Sequence, residues 1–322
     1  MSEPKQKISA TADTFVHFLF ATPGNEHILL SFVNAVQEDA GRPPVKATQV
    51  LNPFNPKTFI TDKRSIIDIK ALARNDRYFV IEFQVAPTKE FLKRALYYWA
   101  KAYTAQMKQG EDYDKLMPVV VIVVACFLLN KLIDELRYDF AITVVGHPEI
   151  VLTEDFQMQI MELVEEKIDQ LKTMNSPLCP WLEFFYYGDK KSEEEMKVLL
   201  ESGDSAVREA YDLFLKFNQD EEMRQLEEAR QQYLHDYNTE INHAKREGEA
   251  IGEVRGEARG EARGEARGKA KSILLTLTKR FKAVPQPLEE IILGIADLER
   301  LEKLADNAFD CESIEEFGKS FK

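Results

Sequence analysis

The chain has 322 residues, of which 44% are hydrophobic and 30% are charged, and its formal net charge is −13. This length and composition predict a soluble protein of about two domains with a hydrophobic core. The negative charge argues against a general basic surface that coats nucleic acid, so any DNA contact should be local. The N-terminus lacks the pattern of a signal peptide, and the longest apolar run, residues 119–129, is about half of a membrane-spanning helix. We therefore expect a cytoplasmic protein with no membrane partner.

The N-terminal part of the sequence predicts two helices. Apolar residues recur at helical spacing through residues 11–36, and a Pro-Gly pair interrupts the pattern. Thr11 or Asp13 could cap the first helix, because a side-chain oxygen there satisfies free backbone N–H groups. Asp13 has a second interpretation as an acidic residue that completes a metal site, and Glu26 is a weaker candidate for that role. Both interpretations stay open at this point.

A predicted β-hairpin follows, and it carries the candidate catalytic residues. Two runs rich in Ile, Val, Phe and Tyr flank a short polar turn, which predicts strands near residues 65–71 and 78–85. Because side chains alternate across a strand, Asp68, Glu82 and Gln84 share one face. Asp68 then lies almost opposite Glu82, and directly opposed residues have Cβ atoms about 4.5–5.5 Å apart.

The two carboxylates of this hairpin predict a metal site. Adjacent buried carboxylates repel each other and lose hydration, so they persist when protonated, paired with a base or bound to a cation. Oxygen ligands suit a hard cation such as Mg²⁺, which commonly takes one or two carboxylates together with waters and substrate phosphates. Such a sparse site favours catalysis on a phosphodiester. The alternative is that Asp68 and Glu82 lie on the solvated face of an ordinary amphipathic hairpin.

The next predicted helix, over residues 86–109, carries candidate phosphate contacts. Arg94, Tyr98 and Lys101 could lie on one face, since residues three and four apart are neighbours on a helix. This arrangement suggests a phosphate-contacting surface beside the predicted metal site. The alternative is that the aromatic side chains of the helix pack while Arg94 and Lys101 are solvated.

The order of the remaining elements predicts the fold class. A buried central strand is expected within residues 112–129, and alternation predicts further strands over residues 139–145 and 156–163. The order helix, hairpin, helix and three strands indicates an α/β sheet of mixed direction with helices on its faces. An aromatic cluster, residues 181–187, should close the core. Residues 192–244 are charged and helical, and they are expected to leave the globular part.

The tail contains a four-residue repeat. On a helix this period places like residues on stripes. They are Gly252, Gly256, Gly260, Gly264 and Gly268, then Glu253, Glu257, Glu261 and Glu265, then Arg255, Arg259, Arg263 and Arg267. Like charges four apart repel, and each interior glycine costs about 0.8–1 kcal/mol relative to alanine. The pattern is compatible with helix pairing between copies or with a flexible, partly helical spacer.

Five segments, taken in order, resemble a known family. They read ADTFVHFLF, IIDIKA, VIEFQ, RALYYWAKAYTAQMKQGEDYDKL and PVVVIVVACF. Together they resemble the PD-(D/E)XK nuclease family transposases, also described as Rpn-type recombination-promoting nucleases, over residues 9–245. The resemblance implies a restriction-endonuclease-like mixed sheet flanked by helices, with an all-α C-terminal extension.

The resemblance also implies a role for each candidate residue. Asp68 and Glu82 would hold Mg²⁺ or Mn²⁺, and Asp13 would be an additional acidic ligand. Gln84 would take the position that is usually lysine in that superfamily. It brings no positive charge, so it can orient water by hydrogen bonds but cannot stabilise an anion electrostatically. Lys70, on the same face as Asp68, is a candidate for the missing charge and for a DNA contact.

These expectations give a domain plan and a function. The plan is a nuclease-like domain in residues 1–190, a charged helical extension in 191–245, the Gly-Glu-Ala-Arg repeat in 246–271 and a small helical domain in 272–322. We expect a magnesium-dependent DNA endonuclease associated with recombination or transposition. It should bind DNA and form homo-oligomers through its C-terminal helices.

Two other functions stay open on the sequence. One is a nuclease-fold protein that binds DNA or partners without catalysis, which the acidic charge and Gln84 favour. The other is a phage-defence nuclease held inactive by its own C-terminal helices, for which the charged tail is the hint. Truncation near Asp236 should raise activity if the tail inhibits and abolish oligomers if the tail assembles copies.

Overall fold

The computed structural model describes residues 7–56, 68–73, 77–129 and 133–321. The chain divides into two compact units, which we call the N-terminal unit (Met1–His235) and the C-terminal unit (Asp236–Lys322). Within the described ranges, no helix combines the length and the apolar character needed to cross a membrane.

The described residues of the N-terminal unit form helices and two sheets. Its strands are β1 (Gln49–Val50), β2 (Asp68–Ala73), β3 (Arg77–Gln84), β4 (Val119–Ala125), β5 (Arg137–Phe140), β6 (Thr143–Val144), β7 (His147–Val151) and β8 (Phe156–Glu162). Its helices are α1 (Asp13–Ala21), α2 (Glu26–Asp39), α3 (Phe91–Thr104), α4 (Glu165–Ile168), α5 (Cys179–Tyr187), α6 (Glu193–Leu199) and α7 (Ser205–Gln219). Helix α8 (Glu221–Phe281) starts in this unit, and the boundary between the units falls within it.

The larger sheet has mixed direction, which confirms the predicted fold class. Its described strands follow the order β1-β2-β3-β4-β8-β5. Strands β3, β4 and β8 run parallel, while β1, β2 and β5 are antiparallel to their neighbours. The hairpin of β2 and β3 has the predicted register, with Asp68 opposite Glu82.

Helices cover both faces of this sheet. On one face, α1, α2, α5 and α7 enclose a large core in which the Phe83 ring lies 4.7 Å from that of Phe185. On the other face, Phe91 and Ala95 of α3 pack against Val80 and against alternate valines of β4, which are Val119, Val121 and Val123. All seven residues of β4 are buried, as expected of a strand with parallel neighbours on both sides and helices above and below. Alternation along β3 therefore sends Ile81 and Phe83 towards the large core and Glu82 towards α3.

The structure differs from the local expectations at several places. Neither Thr11 nor Asp13 caps α1: the N-cap is Ala12, and no side chain there accepts a capping hydrogen bond. The predicted strand 139–145 is divided between β5 and β6. Strand β7 was not predicted at all, because its five residues are exposed and include a proline, so they lack the alternation of a half-buried strand.

The C-terminal unit is helical throughout its regular elements. Helix α8 runs without a break through the four-residue repeat, and a side chain added at any repeat glycine would meet open space. Beyond the repeat, Ala266, Ala270, Ile273 and Leu277 of α8 form a small core with the last helices. These are α9 (Gln286–Leu293), α10 (Leu298–Asp310) and α11 (Ile314–Lys319).

Candidate active site

Glu82 is the most deeply placed acidic residue of the predicted site. It lies in the second half of β3, between strands β2 and β4, and its side chain is completely buried (0% exposed). The interpretation of a solvated hairpin face therefore does not hold for Glu82. An ionised carboxylate at such a position requires a nearby positive charge or several hydrogen-bond donors, because burial removes its hydration.

Arg94 of α3 supplies a positive charge to Glu82. Its Nη2 atom lies 2.8 Å from Glu82 Oε1, and the same nitrogen donates to Gln84 Oε1. The Gln84 amide is held from its other end as well, since Nε2 donates to the Ala86 carbonyl oxygen at 2.6 Å. The structure thus brings together three residues with separate predicted roles. The sequence predicts Glu82 for metal binding, Gln84 for orientation of water and Arg94 for DNA contact.

The position of Arg94 follows from the amphipathic pattern of α3. Phe91 and Ala95 are the buried residues of this helix, and Arg94 lies beside them at the edge of the packed face. The guanidinium carbon is 5.8 Å from the centre of the Phe91 ring. Arg94 keeps 26% of its side-chain surface exposed, so it connects the buried carboxylate with solvent.

Asp68 is described through its backbone alone. Its Cα is paired with that of Glu82, and residues opposed in this way have Cβ atoms about 4.5–5.5 Å apart. The Asp68 side chain lies outside the described part of the structure. Among the side chains that are described, no group of three or more His, Cys, Asp or Glu residues could hold a metal ion. Metal binding by Asp68 and Glu82 therefore stays a prediction.

Asp13, the predicted additional ligand, belongs to a different cluster. Its carboxylate faces Arg230 Nη2 of α8 at 3.3 Å and His17 Nε2 at 3.5 Å. Next to it, the Thr14 hydroxyl donates to Glu227. Burial raises the pKa of Asp13 to about 7, although Arg230 opposes the change, and burial lowers the pKa of His17 to about 4. These contacts give Asp13 a role in joining α1 to α8, and its role as a ligand stays a prediction.

The two predicted lysine contacts share one cavity. Lys70 of β2 and Lys101 of α3 both line a cavity of about 290 Å³, together with Tyr78 and Gln106. Lys101 Nζ is 5.9 Å from the centre of the Tyr97 ring, and its side chain is exposed. Because Lys70 is two residues from Asp68 along β2, this cavity lies along the same strand as the candidate metal ligand.

A second buried ion pair was not predicted. Glu162, at the end of β8, is completely buried, and its Oε2 atom lies 2.5 Å from Lys167 Nζ. Lys167 also donates to the backbone carbonyls of Ile133 at 2.7 Å and Glu135 at 2.9 Å. The Tyr138 hydroxyl donates to Glu162, and burial raises the pKa of this tyrosine. The pair ties β8 to the segment before β5. Its signal in the sequence was a glutamate at the end of a predicted buried strand, five residues before a lysine.

Comparison with known proteins identifies the family. No curated protein and no solved structure matches the chain. The model of one family, described as PD-(D/E)XK nuclease family transposase, matches residues 11–244. The match spans most of the chain and includes the hairpin, α3 and the parallel strands. This chain therefore belongs to the PD-(D/E)XK nuclease family transposases.

Proposed function

We propose that the protein is a metal-dependent DNA endonuclease that cleaves phosphodiester bonds during recombination or transposition. The observation that carries this proposal is the buried Glu82 carboxylate, which lies opposite Asp68 in the sheet and two residues before Gln84. The membership of this chain in a nuclease family is consistent with this reaction. DNA is the proposed substrate, and Asp68 and Glu82 are the proposed ligands.

The donor set fits a hard divalent cation. Glu82 offers a carboxylate in a site that already stabilises a charge through Arg94, and the register places a second carboxylate-bearing position opposite it. Mg²⁺ and Mn²⁺ bind oxygen ligands, and no histidine or cysteine is part of this set. When bound, such a cation would activate water as a nucleophile and stabilise negative charge on the phosphate.

Gln84 is proposed to position the attacking water. Its side-chain oxygen accepts from Arg94 and its nitrogen donates to the Ala86 carbonyl, so the amide is fixed at both ends. A carbonyl oxygen has two lone pairs, and the second can accept a hydrogen bond from water. Lys70 and Lys101 are proposed to contact the DNA backbone from the cavity they share.

Cleavage of supercoiled plasmid tests this proposal. The parent should nick DNA with Mg²⁺ and not with EDTA, and Asp68→Asn and Glu82→Gln should each lose this activity while remaining folded. Asp114→Asn, which removes an exposed acid from the short turn before β4, is the matched control and should cleave like the parent. Folded parent that does not cleave, or equal cleavage by Glu82→Gln, contradicts the proposal.

A second candidate function is DNA or partner binding without catalysis. Two observations favour it: Arg94 neutralises Glu82, and Gln84 supplies no positive charge of its own. In that case the parent would bind DNA equally well with Mg²⁺ and with EDTA, and Glu82→Gln would not change the affinity. A gel-shift titration run beside the cleavage assay separates the two functions.

A further inference from the structure

We propose that Arg94 is an exchangeable counter-ion: it neutralises Glu82 in the metal-free protein, leaves Glu82 when a divalent cation binds there, and then contacts the phosphate of the DNA. This inference rests on the proposed function, because it assumes that Glu82 binds the cation. It adds that Arg94 regulates access of the cation to Glu82. It also identifies Arg94 as the source of the positive charge that Gln84 does not provide.

The geometry places one guanidinium nitrogen between two site residues. Arg94 Nη2 reaches both Glu82 Oε1 and Gln84 Oε1, so its bond to Gln84 can persist when its bond to Glu82 is lost. The Gln84 amide is itself anchored to the Ala86 carbonyl. Arg94 therefore has a fixed partner within the site that is neutral and does not compete for the cation.

The Arg94 guanidinium also has an N–H donor that no described neighbour uses. Arg94 Nε is buried, and in the described part of the chain it meets no acceptor. A buried N–H group without a partner is costly, whereas a phosphate oxygen would satisfy it. Arginine binds phosphate through two parallel N–H donors, which suits a group whose Nε and Nη atoms are not all occupied. The partial exposure of the side chain gives such a phosphate a path from solvent.

Electrostatics gives the exchange its direction. A divalent cation on the Glu82 carboxylate would repel the guanidinium that lies 2.8 Å from the same group. Binding of the cation and binding of Arg94 to Glu82 are thus in competition. An Arg94 released from Glu82 remains beside Gln84, at the position where a lysine would otherwise supply charge to the phosphate.

Two readouts with opposite signs test the exchange in the full-length protein. Mn²⁺ binding is measured by electron paramagnetic resonance without DNA, and plasmid cleavage is measured separately. Arg94→Gln should bind Mn²⁺ about tenfold more tightly than the parent. The reason is that the substitution removes the guanidinium charge that competes with the cation for Glu82. The same variant should cleave about a hundredfold more slowly, because a donor to the phosphate is lost.

Arg94→Lys and Lys93→Gln complete the test. Lysine keeps the charge but not the paired donors, so Arg94→Lys should retain the parent affinity for Mn²⁺ and recover part of the cleavage. Lys93 is exposed on the same helix, and Lys93→Gln should resemble the parent in both assays. Circular dichroism confirms that each variant is folded.

The outcomes separate the inference from the proposed function. If the parent binds Mn²⁺ through Glu82, as shown by loss of binding in Glu82→Gln, but Arg94→Gln binds no more tightly, the exchange is wrong and the proposed function stands. Weaker Mn²⁺ binding by folded Arg94→Gln and Arg94→Lys would instead show that Arg94 only holds Glu82 in place. A parent without any Mn²⁺ site overturns the proposed function and the exchange together.

Discussion

Glu82 and Arg94 form an ion pair of 2.8 Å in which the carboxylate is fully buried and the guanidinium reaches solvent. A strand residue and a helix residue twelve positions apart are thereby joined across the layer between β3 and α3. This pair links the stability of the fold to the chemistry proposed for the site.

Divalent cations should stabilise the parent protein through Glu82. A ligand that binds the folded state adds RT ln(1 + [L]/Kd), which is about 2.7 kcal/mol at a concentration of one hundred times Kd. We expect Mg²⁺ or Mn²⁺ to raise the melting temperature of the parent, EDTA to reverse the increase, and Glu82→Gln to show none. Differential scanning fluorimetry measures this directly. An equal increase in parent and Glu82→Gln would place the cation elsewhere.

Lys70 and Lys101 should contribute to DNA affinity through charge. A lysine that contacts a phosphate displaces about one counterion, so Lys70→Gln and Lys101→Gln should each weaken binding for all sequences and reduce the salt slope by about 1. Fluorescence anisotropy at several salt concentrations gives the slopes. Lys108→Gln, an exposed lysine beyond the end of α3, is the control and should retain the parent slope. Unchanged slopes for the cavity lysines would exclude the contact.

The cluster of Asp13 and His17 should make the stability of the N-terminal unit pH-dependent. Asp13 has a folded pKa of about 7, above its ordinary 3.8, so its contribution is present at low pH and is lost as the pH rises towards 7. His17 has a folded pKa of about 4, below its ordinary 6.5, so its contribution is lost as the pH falls from 6.5 to 4. Between pH 4 and 6.5 the two slopes oppose each other.

Asp13→Asn separates these two effects. Relative to the parent, the variant should gain stability as the pH rises from about 4 to 7, by at most roughly 1.4 kcal/mol per pH unit. Urea denaturation followed by tryptophan fluorescence is suitable, because Trp99 and Trp181 both belong to the N-terminal unit. Asp114→Asn should remain parallel to the parent. A difference between Asp13→Asn and the parent that does not change with pH would contradict the assignment.

Breaking the buried pair of Glu162 and Lys167 should destabilise the N-terminal unit strongly. Lys167→Met leaves a buried carboxylate without its cation, which typically costs about 3–5 kcal/mol. The exposed pair of Lys172 and Asp169, with 72% and 80% of the side chains exposed, is the matched comparison. Lys172→Met should leave the free energy of unfolding close to that of the parent, because solvent screens an exposed ion pair. Similar losses for the two variants would show that the Glu162 site is hydrated.

The repeat glycines should separate helix stability from assembly. Each repeat glycine faces open space, so alanine can be accommodated there. Gly252→Ala, Gly256→Ala and Gly260→Ala combined should stabilise the helix by about 0.8–1 kcal/mol per site and so increase its helicity. If copies pair through close backbone approach along this stripe, Leu at the same three positions should give monomers that remain helical. Circular dichroism and analytical ultracentrifugation measure the two properties. Oligomers that survive the leucine variant would exclude pairing through the glycines.

The sequence could predict what depends on local periodicity. The register that opposes Asp68 to Glu82, the buried strand β4 and the two N-terminal helices all follow from alternation or helical spacing. It could not predict which residue neutralises Glu82, because that depends on how α3 packs on the sheet. The hydrogen bond between Thr14 and Glu227 joins positions 213 residues apart, and no local sequence pattern predicts it.

Strand β4 has a consequence for the synthesis of this protein. Its seven apolar residues pair on one side with β3, which precedes it, and on the other with β8, which emerges from the ribosome only after residues 137–151. Because synthesis proceeds at about 5–20 residues per second, the second edge of β4 stays unpaired for seconds until β8 has been made. An unpaired apolar strand edge is a site of aggregation. Nascent chains stalled before residue 156 should therefore depend on chaperones more than the completed protein does.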